Sequence, residues 1–446
     1  MAEEILMNWQ LGRDRIPRGL VNTPVNMVLR METSDAFARQ HPKTFCDIIL
    51  AVDTSGSMDE DFGTGGELSK REAVIQAAEA MLDGLDPQDT VSLVCFDSDA
   101  CEELSGVPAG DRRRVASGLA RIREHNGNTN FEAAFAVCRR LLDRLGNPSK
   151  KVVFLTDGNA NVGDMKKARR TNEELARAGV VVDCYGVGTD YNHQLMREFV
   201  SVSNGEAHKL AAPRDAQRLF KASVKNAQQS LIANAVLRVE VPEKMRDVEF
   251  YQTTPQQHHV SAPEGVAGGM RIYKVNLSAM TQSHIYNFVL HFSADTPATA
   301  DMQNMLAGRA VLEYDVPVRG LRTQRAVCVK HLTLGDSPAG EQRRSEVDDM
   351  YVTATLIRLE DKKQAAAQKG DWKAVAGFLH EMQRKARDVR RDDLVRDCQS
   401  QLDALAKNGR LSQDELNAAS QSTSVAQSQS AFKQASGDLL GFGFGG

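Results

Sequence analysis

The sequence predicts an α/β fold: a doubly wound, Rossmann-like domain with a mainly parallel sheet, joined to an antiparallel β-sandwich and a C-terminal helical region. Three observations carry this. Across residues 45–230, short apolar runs alternate with segments of helical periodicity, as in a parallel sheet covered by helices. Across residues 231–336 the period changes to successive strand-like runs parted by polar or Gly/Pro segments, with no long helix between them. Across residues 340–410 the apolar spacing is helical again. A chain of 446 residues exceeds a single core, so several domains are expected.

Residues 1–44 contain a stretch of strand character, 25–31, with no sheet of its own. It is expected to join the sandwich, which makes the α/β domain an insertion between sandwich strands. Residues 45–52 are mostly apolar, lack Gly and Pro, and read as a buried parallel strand. Residues 67–85 carry Val74, Ala77, Ala78, Met81 and Leu82 at helical spacing, and 90–96 form the next strand. Residues 111–124 form a basic helix with Val115, Leu119 and Ile122 on one face. Its arginines read as the solvated side rather than a nucleic-acid surface. A helix at 131–145, strands at 151–156 and 180–187, a helix near 193–203, a short strand at 208–210 and a helix at 215–229 complete the unit.

The sandwich strands are expected at 231–241, 245–253, 269–277, 284–293, 309–318 and 322–334. In the helical region, Met350, Ala354 and Ile357 share one face. Trp372, Val375, Leu379 and Met382 share a second, and Leu394, Cys398, Leu402 and Leu405 a third. Asp371 is the expected N-cap of the middle helix, and the three helices are expected to pack on the sandwich. The phrase from Ala367 to Ala374 is similar to the turn of a tetratricopeptide helix pair. It occurs once, and repeats need several neighbours.

The residues that point to chemistry lie where three of these elements end. Asp53-Thr54-Ser55-Gly56-Ser57 follows the first strand, Gly127-Asn128-Thr129-Asn130 precedes a helix, and Asp157-Gly158 follows another strand. At the carboxyl ends of parallel strands, carboxylates and alternate hydroxyls can converge on one hard cation. Two carboxylates and three hydroxyls suit Mg²⁺, which takes oxygen ligands at about 2.1 Å and keeps several waters. The competing reading is that Ser55 and Ser57 cap the following helix and Asp157-Gly158 is an ordinary turn.

Asp53-x-Ser55-x-Ser57, Thr129 and Asp157, in this order, resemble the metal-ion-dependent adhesion site (MIDAS) of a von Willebrand factor A (VWA) domain. The resemblance spans roughly residues 45–230. It implies a doubly wound domain holding Mg²⁺, with Mn²⁺ or Ca²⁺ as substitutes. Ser55, Ser57 and Thr129 would bind the ion directly, and Asp53 and Asp157 directly or through water. A carboxylate from a partner protein would take the remaining position. Bacterial proteins with such domains suggest a MoxR-type AAA+ ATPase as partner.

Composition narrows the remaining classes. A net charge of −4 gives no global attraction to polyanions, so no nucleic-acid partner is expected. No run approaches the ~20 apolar residues of a membrane span. The first ten residues are acidic and lack the basic start and apolar stretch of a signal peptide, so a cytoplasmic location is expected. The seven cysteines are dispersed without CxxC spacing, which argues against a disulfide framework and against zinc. His258-His259 reads as part of a solvated loop. Residues 411–446 are expected to form a flexible tail, Ser/Gln-rich and ending in Leu439, Leu440, Phe442 and Phe444, a possible docking peptide.

Three functions fit: a non-enzymatic, metal-dependent protein-interaction module, a structural subunit whose metal stabilises the fold, or a Mg²⁺-dependent hydrolase with Asp53 as nucleophile. The absence of a P-loop, of a GxSxG elbow and of a clustered base speaks against the enzyme.

Overall fold

The computed structural model describes residues 4–416 except 14, 62–67, 159, 189–190, 211, 261, 299–303, 336–343 and 413–414. In chain order, β1 (Ile5–Leu11), β2 (Arg15–Ile16), β3 (Thr23–Thr33) and α1 (Asp35–Gln40) come first. The α/β unit runs β4 (Cys46–Asp53), α2 (Lys70–Met81), β5 (Thr90–Phe96), β6 (Ala100–Pro108), α3 (Arg112–Ala120) and α4 (Phe131–Leu141). It continues β7 (Ser149–Thr156), α5 (Met165–Arg177), β8 (Val180–Val187), α6 (His193–Ser201), β9 (Ala207–Leu210) and α7 (Pro213–Gln228). Then follow β10 (Ser230–Pro242), β11 (Arg246–Thr254), β12 (His258–His259), β13 (Gly265–Ala267), β14 (Met270–Thr281), β15 (Tyr286–Ala294), β16 (Asn304–Val316) and β17 (Leu321–Leu334). The helices α8 (Ser345–Gln368), α9 (Trp372–Asp388) and α10 (Asp392–Asn408) close the sequence of elements.

The α/β sheet has the order β6-β5-β4-β7-β8-β9. Its ladders are parallel except β5–β6. All eight residues of β4 are buried, as befits a central strand covered on both faces. On one face Ile48, Leu50 and Val52 meet Val74, Ala77 and Ala78 of α2 and Phe220 of α7. On the other, Ile49 and Ala51 meet a cluster of Phe96, Phe131, Phe135, Phe154 and Phe199. From β4 the chain moves to β5 on one side and later to β7 on the other. The carboxyl ends of β4 and β7 therefore lie at the switch point of the sheet.

The sandwich consists of a five-stranded sheet, β1-β3-β15-β11-β12, and a six-stranded sheet, β13-β14-β10-β16-β17-β2. Its core runs through Trp9, Met27, Leu29, Leu237, Val239, Phe250, Phe288, Leu290 and Leu312. The N-terminal segment contributes more than the single strand expected. β1 and β3 enter one sheet, and β2 pairs with β17 in the other. The α/β unit is inserted between β3 and β10, and the two connecting chains meet where Thr44 N–H donates to the Gln228 carbonyl at 2.7 Å. Helix α8 packs on β3, β11, β12 and β15, with Val347 and Ala354 against Val28, Tyr251 and Val289.

Several expectations need correction. Strand β6 and helix α5 were not anticipated; Cys-Glu-Glu in β6 and the Lys/Arg-rich face of α5 dilute their apolar periods. His258 and His259 form a short strand paired with Gln252 and Tyr251 instead of a solvated loop. The helical unit does not stop at residue 410, because Leu411 and Leu416 are buried in its core. Asp371 does cap α9, accepting from Ala374 N–H at 3.0 Å. Residues 417–446, with the expected docking tip, lie outside the described residues.

Candidate metal centre

The first loop leaves β4 at Asp53, whose carboxylate is fully buried and doubly held. Its Oδ1 accepts from Ser55 N–H at 2.9 Å and its Oδ2 from Thr156 Oγ1 at 2.6 Å. Burial pushes the carboxyl up to about 6, and the neighbouring Asp157 charge adds to this while the hydrogen bonds oppose it. A divalent cation would reverse that balance by favouring the ionised form.

Ser55 precedes a 3₁₀ turn, Gly56–Asp59, yet makes no side-chain cap bond to it. Its Oγ lies 3.2 Å from Ser57 Oγ, and Ser57 Oγ donates to Asp157 Oδ1 at 2.8 Å. The capping alternative is thereby set aside. These hydroxyls face each other and the carboxylate of the second strand, not the helix backbone. Gly56 and Ser57 are exposed, as are residues 126–128, so the cluster opens onto the surface.

Thr129 reaches the site through its loop. Its N–H donates to Asn161 Oδ1 at 2.8 Å, and its carbonyl accepts from Asn161 and Val162 N–H. None of these bonds uses the Thr129 hydroxyl. The loop is joined to the first by Gly56 N–H donating to the Gly127 carbonyl at 3.3 Å. The structure thus links Asp53, Ser55, Ser57 and Asp157 to one another, and ties the loop that carries Thr129 to the first loop through Gly127.

Two residues of α2 that the sequence reading passed over complete the arrangement. Lys70 Nζ donates to Asp157 Oδ2 at 2.9 Å and to the Ser57 carbonyl at 3.3 Å, with its side chain only 6% exposed. Gly188 (φ +82°) leaves room for it: a Cβ there would stand 3.1 Å from Lys70 Cε. Arg71 donates to the carbonyls of Thr54 and Ser55 in the first loop and of Ile122 and His125 ahead of the second. One guanidinium therefore holds two of the loops. Ser69 at the N-cap, accepting from Glu72 N–H, was the available sequence signal that α2 begins beside this site.

The donor set consists of carboxylate and hydroxyl oxygens with no nitrogen or sulfur ligand, which fits a hard divalent ion such as Mg²⁺. Asp53 and Asp157 would hold it together with the hydroxyls of Ser55, Ser57 and Thr129. Lys70 cancels part of the carboxylate charge, so a bound ion would retain attraction for an external anion.

The sequence profile of the von Willebrand factor type A domain family matches residues 48–159. The chain contains a von Willebrand factor type A domain. A von Willebrand factor type A protein from Catenulispora acidiphila superposes on 89% of this chain and 89% of its own with a TM-score of 0.70, at 16% identity. The ArnB paralogue VWA2 from Sulfolobus acidocaldarius superposes on 97% of this chain and 100% of its own with a TM-score of 0.55, at 13% identity. Both likenesses show the fold. In sequence, the Synechocystis protein sll0103 is 22% identical over 208 residues, 47% of this chain and 47% of its own. The match therefore spans about half of that relative. Domains of this type are generally protein-interaction modules.

Proposed function

We propose that the A domain is a non-enzymatic, metal-dependent interaction module that binds an exposed Asp or Glu of a partner protein through Mg²⁺ held by Asp53, Ser55, Ser57, Thr129 and Asp157. The observation that carries this reading is the convergence of Asp53, Ser55, Ser57 and Asp157 at a surface-open switch point, with two hydroxyls turned away from helix capping. Lys70 gives Asp157 a counter-charge of its own, so neutralising this carboxylate does not depend on an ion. That weighs against a metal whose role is only to stabilise the fold. The seven cysteines are all free thiols, which supports a reducing, cytoplasmic setting and a role in assembling or regulating a complex there. The family resemblance puts an AAA+ ATPase first among partners to test.

The test uses the full chain as bait, with and without EDTA, beside Asp53→Ala/Ser55→Ala and Thr129→Ala. Calorimetry should show Mg²⁺ or Mn²⁺ binding abolished in the double variant while circular dichroism stays native. Partner capture should fall in EDTA and in both variants. Unchanged capture under all of these conditions would place the interface elsewhere. Turnover of generic phosphate esters that disappears in the double variant would instead favour the hydrolase.

A further inference from the structure

A second constellation lies on the edge of the A-domain sheet. Cys101 and Glu103 are two apart on β6 and share a face, and His125 follows the 3₁₀ turn Arg121–Glu124. Cys101 Sγ stands 3.4 Å from Glu103 Oε1 and 3.7 Å from His125 Nε2, and that nitrogen is 3.1 Å from the same oxygen. Tetrahedral zinc, with bonds of about 2.3 Å to sulfur and about 2.0–2.2 Å to nitrogen and oxygen, separates its ligands by about 3.4–3.6 Å. The observed triangle matches those edges to within about 0.3 Å. We propose that Cys101, Glu103 and His125 form a second metal centre, for a transition ion of the zinc class, with the fourth tetrahedral position left to water or an external donor.

The surroundings support a built site. Arg121 Nη1 donates to the other Glu103 oxygen at 3.0 Å, which fixes the carboxylate as outer partners of metal ligands do. The His125 backbone is anchored by Arg71, which donates to its carbonyl at 2.6 Å. All three side chains are half-buried, sheltered enough to be ordered and open enough for an ion to reach. Thiolate, imidazole and carboxylate together select zinc-like ions over Mg²⁺ or Ca²⁺, which separates this site chemically from the oxygen-only centre. A cysteine binds such an ion as its thiolate, so metal uptake releases a proton.

The experiment titrates chelator-stripped full chain with Zn²⁺ in excess Mg²⁺, and separately with Co²⁺, whose thiolate complexes absorb in the near ultraviolet. The expected result is one Zn²⁺ per chain with proton release, and a thiolate-to-cobalt band. Cys101→Ser should lose the band, and His125→Gln should weaken Zn²⁺ at least ~10-fold. His125→Gln also serves where Cys101→Ser disturbs folding. Asp53→Ala/Ser55→Ala should keep the zinc site, which separates this result from failure of the Mg²⁺ centre. Zn²⁺ binding equal in wild type and both variants, or Co²⁺ bound without the thiolate band, would overturn the proposal and leave a hydrogen-bonded triad.

Discussion

Lys70 donates to Asp157 with both side chains almost wholly sheltered, so neither charge has bulk water as a substitute partner. Removing one member of such a pair strands the other, at a cost of roughly 3–5 kcal/mol. Lys70→Met should therefore lower the stability of the metal-free protein by about 3 kcal/mol. Mg²⁺ should restore much of it, because the ion supplies the missing positive charge. The difference in melting temperature between Mg²⁺ and EDTA should be larger in Lys70→Met than in wild type; equal differences would mean Asp157 is not a ligand. Asp53→Ala differs in size. With the Asp53 carboxyl pushed up to about 6 by burial, its charge is poorly accommodated without a cation, so removal should abolish metal binding with little loss of fold. At this scale the sequence was informative where the signal is local. Asp53, Ser55 and Ser57 are adjacent on one loop, whereas Lys70 and Asp157 are brought together by a contact spanning 87 positions. Cys101 and His125 carry no ligand spacing that a motif search would register, and Cys101 and Glu103 share a face only because β6, which the sequence did not reveal, is a strand.

Elements meet at backbone distance in one place that sets a sharp constraint. Between α6 and β9, Gly205 lies against β8 so closely that a Cβ would stand 1.9 Å from the Val182 carbonyl oxygen. Backbone cannot yield there as a long side chain would. Gly205→Ala should destabilise by about 1–3 kcal/mol through overpacking, measured by chemical denaturation. A value within error of wild type would show that the turn can shift freely. The element level also shows why parts of the fold were hidden. The central strands β4, β7 and β8 are covered on both faces and mostly apolar, and they stand out in the sequence. Strand β6 and helix α5 face solvent on one side, and their polar residues break the apolar period. β1 is legible only through its partner, since its register with β3 pairs Trp9 with Leu29 across 20 residues of chain.

At the scale of the molecule, the A domain, the sandwich and the helices converge around two histidines, His193 buried and His258 partly exposed. His193 starts α6 of the A domain and His258 lies in β12 of the sandwich, with Arg197 donating to the Gln257 carbonyl at 3.1 Å between them. Burial and the Arg197 charge push both imidazoles down from 6.5 to about 4. The unfolded chain therefore binds more protons than the folded one between these values, and stability must rise with pH across that window. Native stability should be full above about pH 6.5 and fall progressively toward pH 4, where the folded protein begins to take up the same protons. Denaturation at pH 7 and pH 5 measures the slope, and His193→Gln should flatten it. An unchanged slope would locate the acid sensitivity elsewhere.

The pairing of Thr44 with Gln228 has a consequence for modularity. Both connections of the A domain leave from one end of its sheet, while Asp53 and Asp157 lie at the other, beyond the eight residues of β4. That is a separation of about 26 Å at the usual rise along a strand. The A domain is thus a cassette: its chain enters and leaves the sandwich through one pair of neighbouring connections, it also rests on the sandwich where Arg197 meets Gln257 and Ala176 meets Ser278, and it presents the candidate metal loops from the far tip. A different A domain cut at equivalent points would keep the chain path, but would fit this sandwich only if it reproduced the contacts that Arg197 and Asn204 make with Gln257 and Gln252.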